Sequence, residues 1–290
     1  MTNWPLAVRV LSPRLPAALN SGSHLLQAPD LHAPIGVFDA GIGSYGIVQV
    51  IRQHYPTQDI LYFADRASFP YGAKSRAGLA DCVGRAIARL ADMGAAAIVL
   101  ASNAPSVMVL DNIRDAQPVP VLGIYPPIAQ ALETSKTGHV AILGVESLIC
   151  SPEIRAYVER QANGRHVDLV NASPLVQLVE EGTFLSDRQA TRVKVQSFLH
   201  DLRRKLPGLD VCTLSSTHLP WLSGYFQEAA PDITFLDPAE SLVPLLRPHV
   251  TDGNGRTVCI ATESPALPLR GLQRMLDLLG VDLEPRRIEL

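Results

Sequence analysis

The fold is decided by the stretch AIVLASN, residues 97–103, which reads as a buried strand ending in two small polar residues. The stretch DVCTLSSTH, residues 210–218, repeats this plan in the second half of the chain. Each apolar run carries a serine, Ser102 or Ser216, to the end of a strand. Ligands of open α/β sheets bind beyond the carboxyl ends of the strands. The sequence therefore predicts two strand ends that present hydroxyl groups toward a common cleft.

Strand-like runs alternate with helical patterns through most of the chain. A predicted helix from Ala77 to Met93 carries apolar residues at helical spacing, and a second predicted helix follows Asp187, a suitable N-terminal cap. Alternation of this kind favours parallel sheets. The predicted fold class is α/β, with two similar α/β lobes, parallel sheets and the active-site cleft between the lobes.

Two proline-containing stretches, IYPP at 124–127 and DPAE at 237–240, mark where the chain is expected to pass between the lobes. We expect residues 35–126 together with 238–290 to form the first lobe, and residues 127–237 to form the second. Residues 1–34 carry five prolines, which break helices and central strands. They predict an irregular N-terminal leader.

The composition argues against several classes of protein. The chain has 290 residues, is 47% hydrophobic and has a formal net charge of -3, so no general basic field attracts nucleic acid. Apolar runs are shorter than the ~20 residues of a membrane span. The four cysteines lack metal-ligand spacing and are interpreted as structural thiols. We expect no nucleic-acid or membrane partner, no metal and a cytoplasmic location.

The glycines after the first predicted strand permit another interpretation. Gly41, Gly43 and Gly46 fit the dinucleotide-binding pattern, and Asp65 follows about 20 residues later. Asp39 stands at the mouth of that strand, where its charge would repel a pyrophosphate. The alternative is a tight turn from strand to helix in which the backbone packs closely. Dinucleotide binding remains a minor alternative.

Six short stretches resemble the glutamate racemase and aspartate/glutamate racemase family. They are IGVFDAG (35–41), FPYG (69–72), ASN (101–103), VEEG (179–182), STH with Pro220 (216–218) and DPAE (237–240). The likeness runs in order from about Ile35 to Gly280. It implies two α/β lobes and cofactor-independent racemisation of glutamate or aspartate by two-base proton transfer at Cα, in amino-acid metabolism that serves the cell wall. The implied ligand is a small amino acid or dicarboxylic acid, and a homodimer is left open.

The resemblance also assigns roles to individual positions. Two family cysteines, which remove and donate the α-proton from opposite faces, match Ser102 and Ser216. The implied supporting groups are Asp39, Glu180 and His218. The positions that match substrate-binding residues are Asp39, Ala40, Tyr71, Gly72, Asn103, Ala104 and Thr217.

The departures from the family pattern fall on the chemistry. A serine hydroxyl has a much higher pKa than a thiol, whose pKa is about 8.5, so it is the weaker proton carrier. Ala40 and Ala104 replace residues that carry hydroxyls in the family, which favours natural divergence over a designed knock-out. We expect impaired or altered racemisation. The alternatives are a non-catalytic protein that binds or senses a small acid, and a serine that His218 activates at Ser216.

Overall fold

The computed structural model describes residues 30–290, in which two separate sheets of parallel strands are flanked by helices. The first sheet has the strand order β10-β9-β2-β1-β3-β4 and the second has the order β6-β5-β7-β8. The strands are β1 (Ile35–Asp39), β2 (Ile60–Asp65), β3 (Ala97–Leu100), β4 (Val121–Gly123), β5 (Val140–Gly144), β6 (Asp168–Asn171), β7 (Val211–Ser215), β8 (Thr234–Leu236), β9 (Thr257–Thr262) and β10 (Arg286–Arg287).

Helices connect these strands. The α-helices are α1 (Tyr45–His54), α2 (Arg76–Asp92), α3 (Asn103–Pro105), α4 (Asp111–Ile113), α5 (Ile128–Thr134), α6 (Glu146–Ile149), α7 (Pro152–Ala162), α8 (Ser173–Glu180), α9 (Thr183–Ser186), α10 (Arg188–Lys205), α11 (Ser223–Ala229), α12 (Leu242–Leu246) and α13 (Leu269–Leu278). Short 3-10 turns lie at Ile42–Ser44, Arg66–Ser68, Tyr71–Ala73, Arg114–Ala116, Leu219–Leu222, Pro238–Ser241 and Arg247–His249.

The centre of the first sheet explains why its strands are continuous apolar runs. Every residue of β1, β2 and β3 is buried, as expected for parallel strands with helices on both faces. Ile35 pairs with Ile60 on one side and with Ala97 on the other. This register brings the carboxyl ends of the three strands to one edge of the sheet.

The second sheet presents its strand ends in the same way. β7 lies between β5 and β8, and Ser215 at its end pairs with Gly144. Helix α10 begins where the sequence predicts, because the Asp187 carboxylate accepts a hydrogen bond from the Ala190 N–H at 2.9 Å. Ser216 therefore leaves a central strand of the second sheet, as Ser102 leaves a central strand of the first.

The segment after Ser102 is not one regular helix. Helix α3 passes into a π-helix at Ser106–Leu110 before α4 begins. The Ser106 hydroxyl donates to the Ser102 carbonyl at 2.7 Å and accepts from the Ile124 N–H at 3.0 Å. Because π-turns often occur at functional sites, this irregularity directs attention to the strand end that precedes it.

The predicted α/β fold with two parallel sheets is confirmed. The lobe boundaries at 126/127 and 237/238 remain our proposal, which the sheet membership supports, since β5 to β8 all lie between them. The predicted leader falls almost wholly outside the described residues. Within residues 30–290, no helix is long and apolar enough to cross a membrane.

Candidate functional site

One half of the candidate site stands at the carboxyl edge of the first sheet. Asp39 ends β1, and Ser102 lies just beyond the end of the neighbouring strand β3. The Ser102 hydroxyl hydrogen-bonds the Asp39 carboxyl, which also accepts from the Ala40 backbone N–H. On this side of the site, Ser102 therefore contacts a titratable carboxyl group directly.

The Asp39 carboxyl holds its proton more tightly than an ordinary aspartate. Its residue is only 5% exposed. Burial raises the pKa from 3.8 to about 6, although the charge of His218 and the hydrogen bonds from Ala40 and Ser102 act in the opposite direction. Desolvation dominates because a buried carboxylate loses its hydration. Asp39 is thus a proton donor and acceptor close to neutral pH.

The other half of the site forms at the end of β7. The Ser216 hydroxyl lies 3.5 Å from Nδ1 of His218, and Nε2 of His218 lies 2.9 Å from Oε2 of Glu180. All three side chains are buried or nearly so. Strand pairing ends at Ser215, so Ser216 and His218 do not share a strand face. The turn into the following 3-10 segment brings them together instead.

Glu180 joins the two halves of the site. Its Oε1 lies 3.3 Å from a terminal guanidinium nitrogen of Arg66, and its Oε2 accepts from the Ile42 N–H at 3.0 Å. Burial alone would raise the pKa of Glu180, but His218, Arg66 and the Ile42 N–H together hold it below its ordinary value. Glu180 is therefore a charged acceptor. Arg66 and Ile42 follow strands of the first sheet, whereas Glu180 ends α8 beside the second sheet.

Gly41 and Gly43, which follow β1, lie where the side chains of Glu180 and His218 come so close to the backbone that only glycine fits. A Cβ on Gly41 would lie 2.8 Å from Oε2 of Glu180, and a Cβ on Gly43 would lie 2.5 Å from Nδ1 of His218. Both distances are too short for a real carbon atom. The indole of Trp221 also donates to the Gly43 carbonyl at 3.3 Å. These glycines thus let site side chains pack onto the backbone, and this packing accounts for them without a dinucleotide.

The loop that the resemblance places over the substrate touches elements of both sheets. The Tyr71 hydroxyl donates to Asp65 at 3.1 Å, and Asp65 also accepts from Thr262 at 2.9 Å. The Asp65 carboxylate is therefore hydrogen-bonded by side chains of the first lobe. A Cβ on Gly72 would lie 2.5 Å from the Ser147 hydroxyl at α6, so this loop packs directly against the second lobe.

Two buried polar atoms of the site region have no hydrogen-bond partner within the described chain: Oδ1 of Asn103 and Nε of Arg66. Buried polar atoms are rarely left unpaired in proteins. The amide nitrogen of Asn103 donates to the Ile124 carbonyl at 3.3 Å, which fixes the orientation of Oδ1. The site region therefore offers one acceptor and one charged donor beside its titratable groups.

The remaining predicted positions lie in the same region. Ala40 follows Asp39 directly, Ala104 follows Asn103, and Thr217 separates Ser216 from His218; all three are buried. No hydroxyl is present at Ala40 or Ala104, so neither side chain contributes a hydrogen bond. Thr217 is the one member of this group that retains a polar side chain.

Sequence reasoning missed Arg66, Ser106 and Ser147. Arg66 directly follows Asp65, the last residue of the otherwise apolar strand β2, and a charged residue at a strand end was the signal that could have identified it. Ser106 gives a weaker signal, since a serine four residues after Ser102 is common in helices. The contact of Ser147 with Gly72 depends on how the two lobes meet and has no local signal.

The cysteines lie elsewhere. The four are free, and burial raises the pKa of the Cys212 and Cys259 thiols to about 12. A thiol with such a pKa is scarcely ionised at neutral pH. Across residues 30–290, no group of three or more His, Cys, Asp or Glu side chains is placed to hold a metal ion.

Comparison with known proteins places this geometry in a family. The model of the Asp/Glu/Hydantoin racemase family matches residues 45–246. Glutamate racemase from Persephonella marina is 30% identical over 262 residues, which cover 88% of this chain and 97% of the relative. Glutamate racemase from Thermus thermophilus in complex with β-chloro-D-alanine has a TM-score of 0.74 at 28% identity, covering 89% of this chain and 97% of the other.

A more distant structure agrees on the fold. Glutamate racemase isoform RacE1 from Bacillus anthracis superimposes with a TM-score of 0.76 at 23% identity, covering 89% of this chain and 98% of the other. The sequence match and the two parallel sheets point to the same conclusion. The chain belongs to the Asp/Glu/hydantoin racemase family.

Proposed function

We propose that this chain binds an acidic amino acid between its lobes, and that it exchanges and inverts the Cα proton far more slowly than a member with two cysteines. The buried, unpaired Oδ1 of Asn103 beside Ser102 is the observation that carries the binding half of this proposal. An amide oxygen that accepts no protein hydrogen bond suits a substrate ammonium group, which has donors only.

The charged donor nearby supports the same class of ligand. Arg66 forms a buried ion pair with Glu180, yet its Nε–H has no acceptor within the described residues. Guanidinium N–H groups are strong partners for carboxylates. An acidic amino acid offers an ammonium group and two carboxylates, so it complements both Asn103 and Arg66. A relative supports this choice: the protein from Persephonella marina that is 30% identical is a glutamate racemase.

The serines account for slow turnover. Each hydroxyl is hydrogen-bonded to a titratable group, Ser102 to Asp39 and Ser216 to His218. These contacts position the hydroxyls but do not make them good proton carriers, because a hydroxyl releases its proton far less readily than a thiol with a pKa of about 8.5. Each additional pKa unit corresponds to about 1.4 kcal/mol, which is a tenfold change in rate.

Calorimetric titration with the two enantiomers of glutamate and aspartate tests the binding half. We expect saturable binding of at least one of them to the wild-type chain. Asn103→Leu should weaken that binding about tenfold or more, since an ammonium group that loses its buried acceptor costs on the order of 1.5–3 kcal/mol. The matched control Asn112→Leu, in the exposed turn of α4, should bind as the wild type does. Absence of heat with all four amino acids would contradict the proposal.

The cellular setting follows from the chemistry of the chain. We propose a cytoplasmic protein of amino-acid metabolism, because four free thiols suit a reducing compartment. The net charge of -3 also disfavours nucleic acid as a partner. Binding without any Cα exchange would leave a small-acid sensor as the function of the same cleft.

A further inference from the structure

The second half of the site has an arrangement that could do chemistry other than proton transfer at Cα. The Ser216 hydroxyl faces Nδ1 of His218 at 3.5 Å, and Nε2 of the same ring faces Glu180 at 2.9 Å. A hydroxyl, an imidazole and a carboxylate in series are the parts that activate a serine as a nucleophile. The first contact is long, but such contacts are often loose in unliganded sites and tighten with substrate.

The hydrogen bonds of Glu180 decide which ring nitrogen acts as the base. Its carboxylate accepts from Arg66, from the Ile42 N–H and from His218. Because the carboxylate only accepts, Nε2 of His218 must carry a proton. In the neutral ring the lone pair then lies on Nδ1, which faces Ser216. The three partners also hold the carboxylate in place, so the ring orientation is fixed.

The first half of the site lacks this arrangement. Ser102 meets the Asp39 carboxyl directly, without an imidazole between them. Ser215, the neighbour of Ser216, is fully buried and bonded to the Thr213 hydroxyl at 2.8 Å. Neither serine therefore has an imidazole base, and Ser216 is distinguished from both by its own contacts.

We propose that Ser216, His218 and Glu180 form a nucleophilic relay through which this chain hydrolyses small carboxylic esters and amides. Oγ of Ser216 attacks the carbonyl carbon while its proton passes to Nδ1 of His218. The bond to the leaving group then breaks, and His218 returns the proton to that group. Water next attacks the acyl-serine ester, His218 takes the proton of the water, and Ser216 regains it as the acid departs. The charge of Glu180 stabilises the imidazolium in both steps.

This activity goes beyond proton transfer at Cα and does not depend on amino-acid binding. p-Nitrophenyl acetate tests it, because acetyl transfer releases coloured p-nitrophenolate whether or not the chain recognises glutamate. The wild-type chain should release p-nitrophenolate, and peptide mass spectrometry after rapid acid quenching should find acetyl on Ser216. Phenylmethanesulfonyl fluoride should sulfonylate the same residue and stop the release.

Variants separate the relay from other sources of reactivity. Ser216→Ala should abolish acetylation at that peptide, and His218→Asn should slow it about 100-fold or more, as expected when a general base is lost. Ser215→Ala, which removes the adjacent serine, should react as the wild type does. Circular dichroism should show that each compared variant retains the helical content of the wild type.

A measurement on the wild type keeps the outcome clear if a variant fails to fold. Heat-unfolded wild-type chain should acetylate Ser216 at least about 100-fold more slowly than the folded chain, since the relay and its general base exist only in the fold. Equal labelling of Ser216 in the folded and unfolded chains would overturn the nucleophilic role. Acetyl found only on lysines, or an unchanged rate in folded Ser216→Ala or His218→Asn, would overturn it as well.

Discussion

Replacing Asp39 by asparagine should change how the stability of the protein depends on pH. Burial raises the pKa of Asp39 from 3.8 to about 6. The native state therefore keeps a proton that the unfolded chain releases as the pH rises between these values. The free energy of unfolding falls with rising pH wherever the native state binds more protons than the unfolded state. At pH 7 and above, the ionised Asp39 costs the native state about 3 kcal/mol, from a pKa difference of about two at about 1.4 kcal/mol each.

The asparagine side chain of the Asp39→Asn variant cannot ionise, so this cost disappears. The free energy of unfolding of the variant, relative to that of the wild type, should therefore rise by about 3 kcal/mol between about pH 3.5 and pH 7. The altered hydrogen bonds of the variant add only a constant offset to this difference. Urea unfolding followed by circular dichroism measures the free energy of unfolding at each pH. The difference between the two proteins is the relevant quantity, because the titrating groups that do not interact with Asp39 cancel in it.

Asp210 provides the matched control. Hydrogen bonds from Ser135 and from the backbone N–H groups of Lys136 and Thr137 outweigh its desolvation and lower its pKa below 3.8. The stability that Asp210 contributes is complete above that value and is lost only at lower pH. The curves of Asp210→Asn and the wild type should therefore run parallel from about pH 5 to pH 8. If the Asp39→Asn difference is also flat over that range, the account of Asp39 is wrong.

Two further predictions concern the contacts between the lobes, and both use urea unfolding. Arg66→Met leaves Glu180 buried without its guanidinium partner and should lower the free energy of unfolding by about 3–5 kcal/mol. The control Arg85→Met, on an exposed helix face, should lower it by less than about 1 kcal/mol. Similar losses for both variants would contradict a buried ion pair between the lobes. Gly43→Ala places a carbon 2.5 Å from the His218 ring and should cost about 1–3 kcal/mol. Gly84→Ala, which meets open space within α2, should instead stabilise by up to about 1 kcal/mol; a neutral Gly43→Ala would show that His218 does not pack there.

The elements that were predicted well are those with strong local signals. The helix capped by Asp187 and the buried strands β1, β2 and β3 carry an apolar period or run that tertiary contacts reinforce. β4 begins directly after Pro120 and lies at the edge of the first sheet, where a proline that cannot donate a hydrogen bond to a neighbouring strand is tolerated. The two-residue strand β10 was missed, because Arg286–Arg287 has no apolar pattern and pairs only through its backbone.

The candidate site was predictable to the extent that its residues follow strand ends. Asp39 ends β1, whereas Ser102, Ser216 and His218 lie just beyond β3 and β7, and the four residues lie together in the structure. The ion pair between Arg66 and Glu180 was not predictable, because it depends on how one lobe rests against the other. The π-helix after Ser102 was not predictable either, because residues 104–113 have an ordinary helical pattern and the Ser106 hydroxyl within it accepts from the Ile124 N–H, which is distant in the sequence.

The central claim is that the fold holds an acidic amino acid correctly and that the two serines limit proton transfer. Solvent-exchange measurement tests it most directly: glutamate is incubated in D₂O with the wild-type chain and with the Ser102→Cys/Ser216→Cys double variant, and loss of the Cα proton is followed by NMR. We expect the double variant to exchange about 10³-fold faster or more, corresponding to three or more pKa units at tenfold each, and to invert the centre. A wild-type chain that exchanges as fast as the double variant would contradict the claim, and so would a folded double variant that exchanges no faster than the wild type.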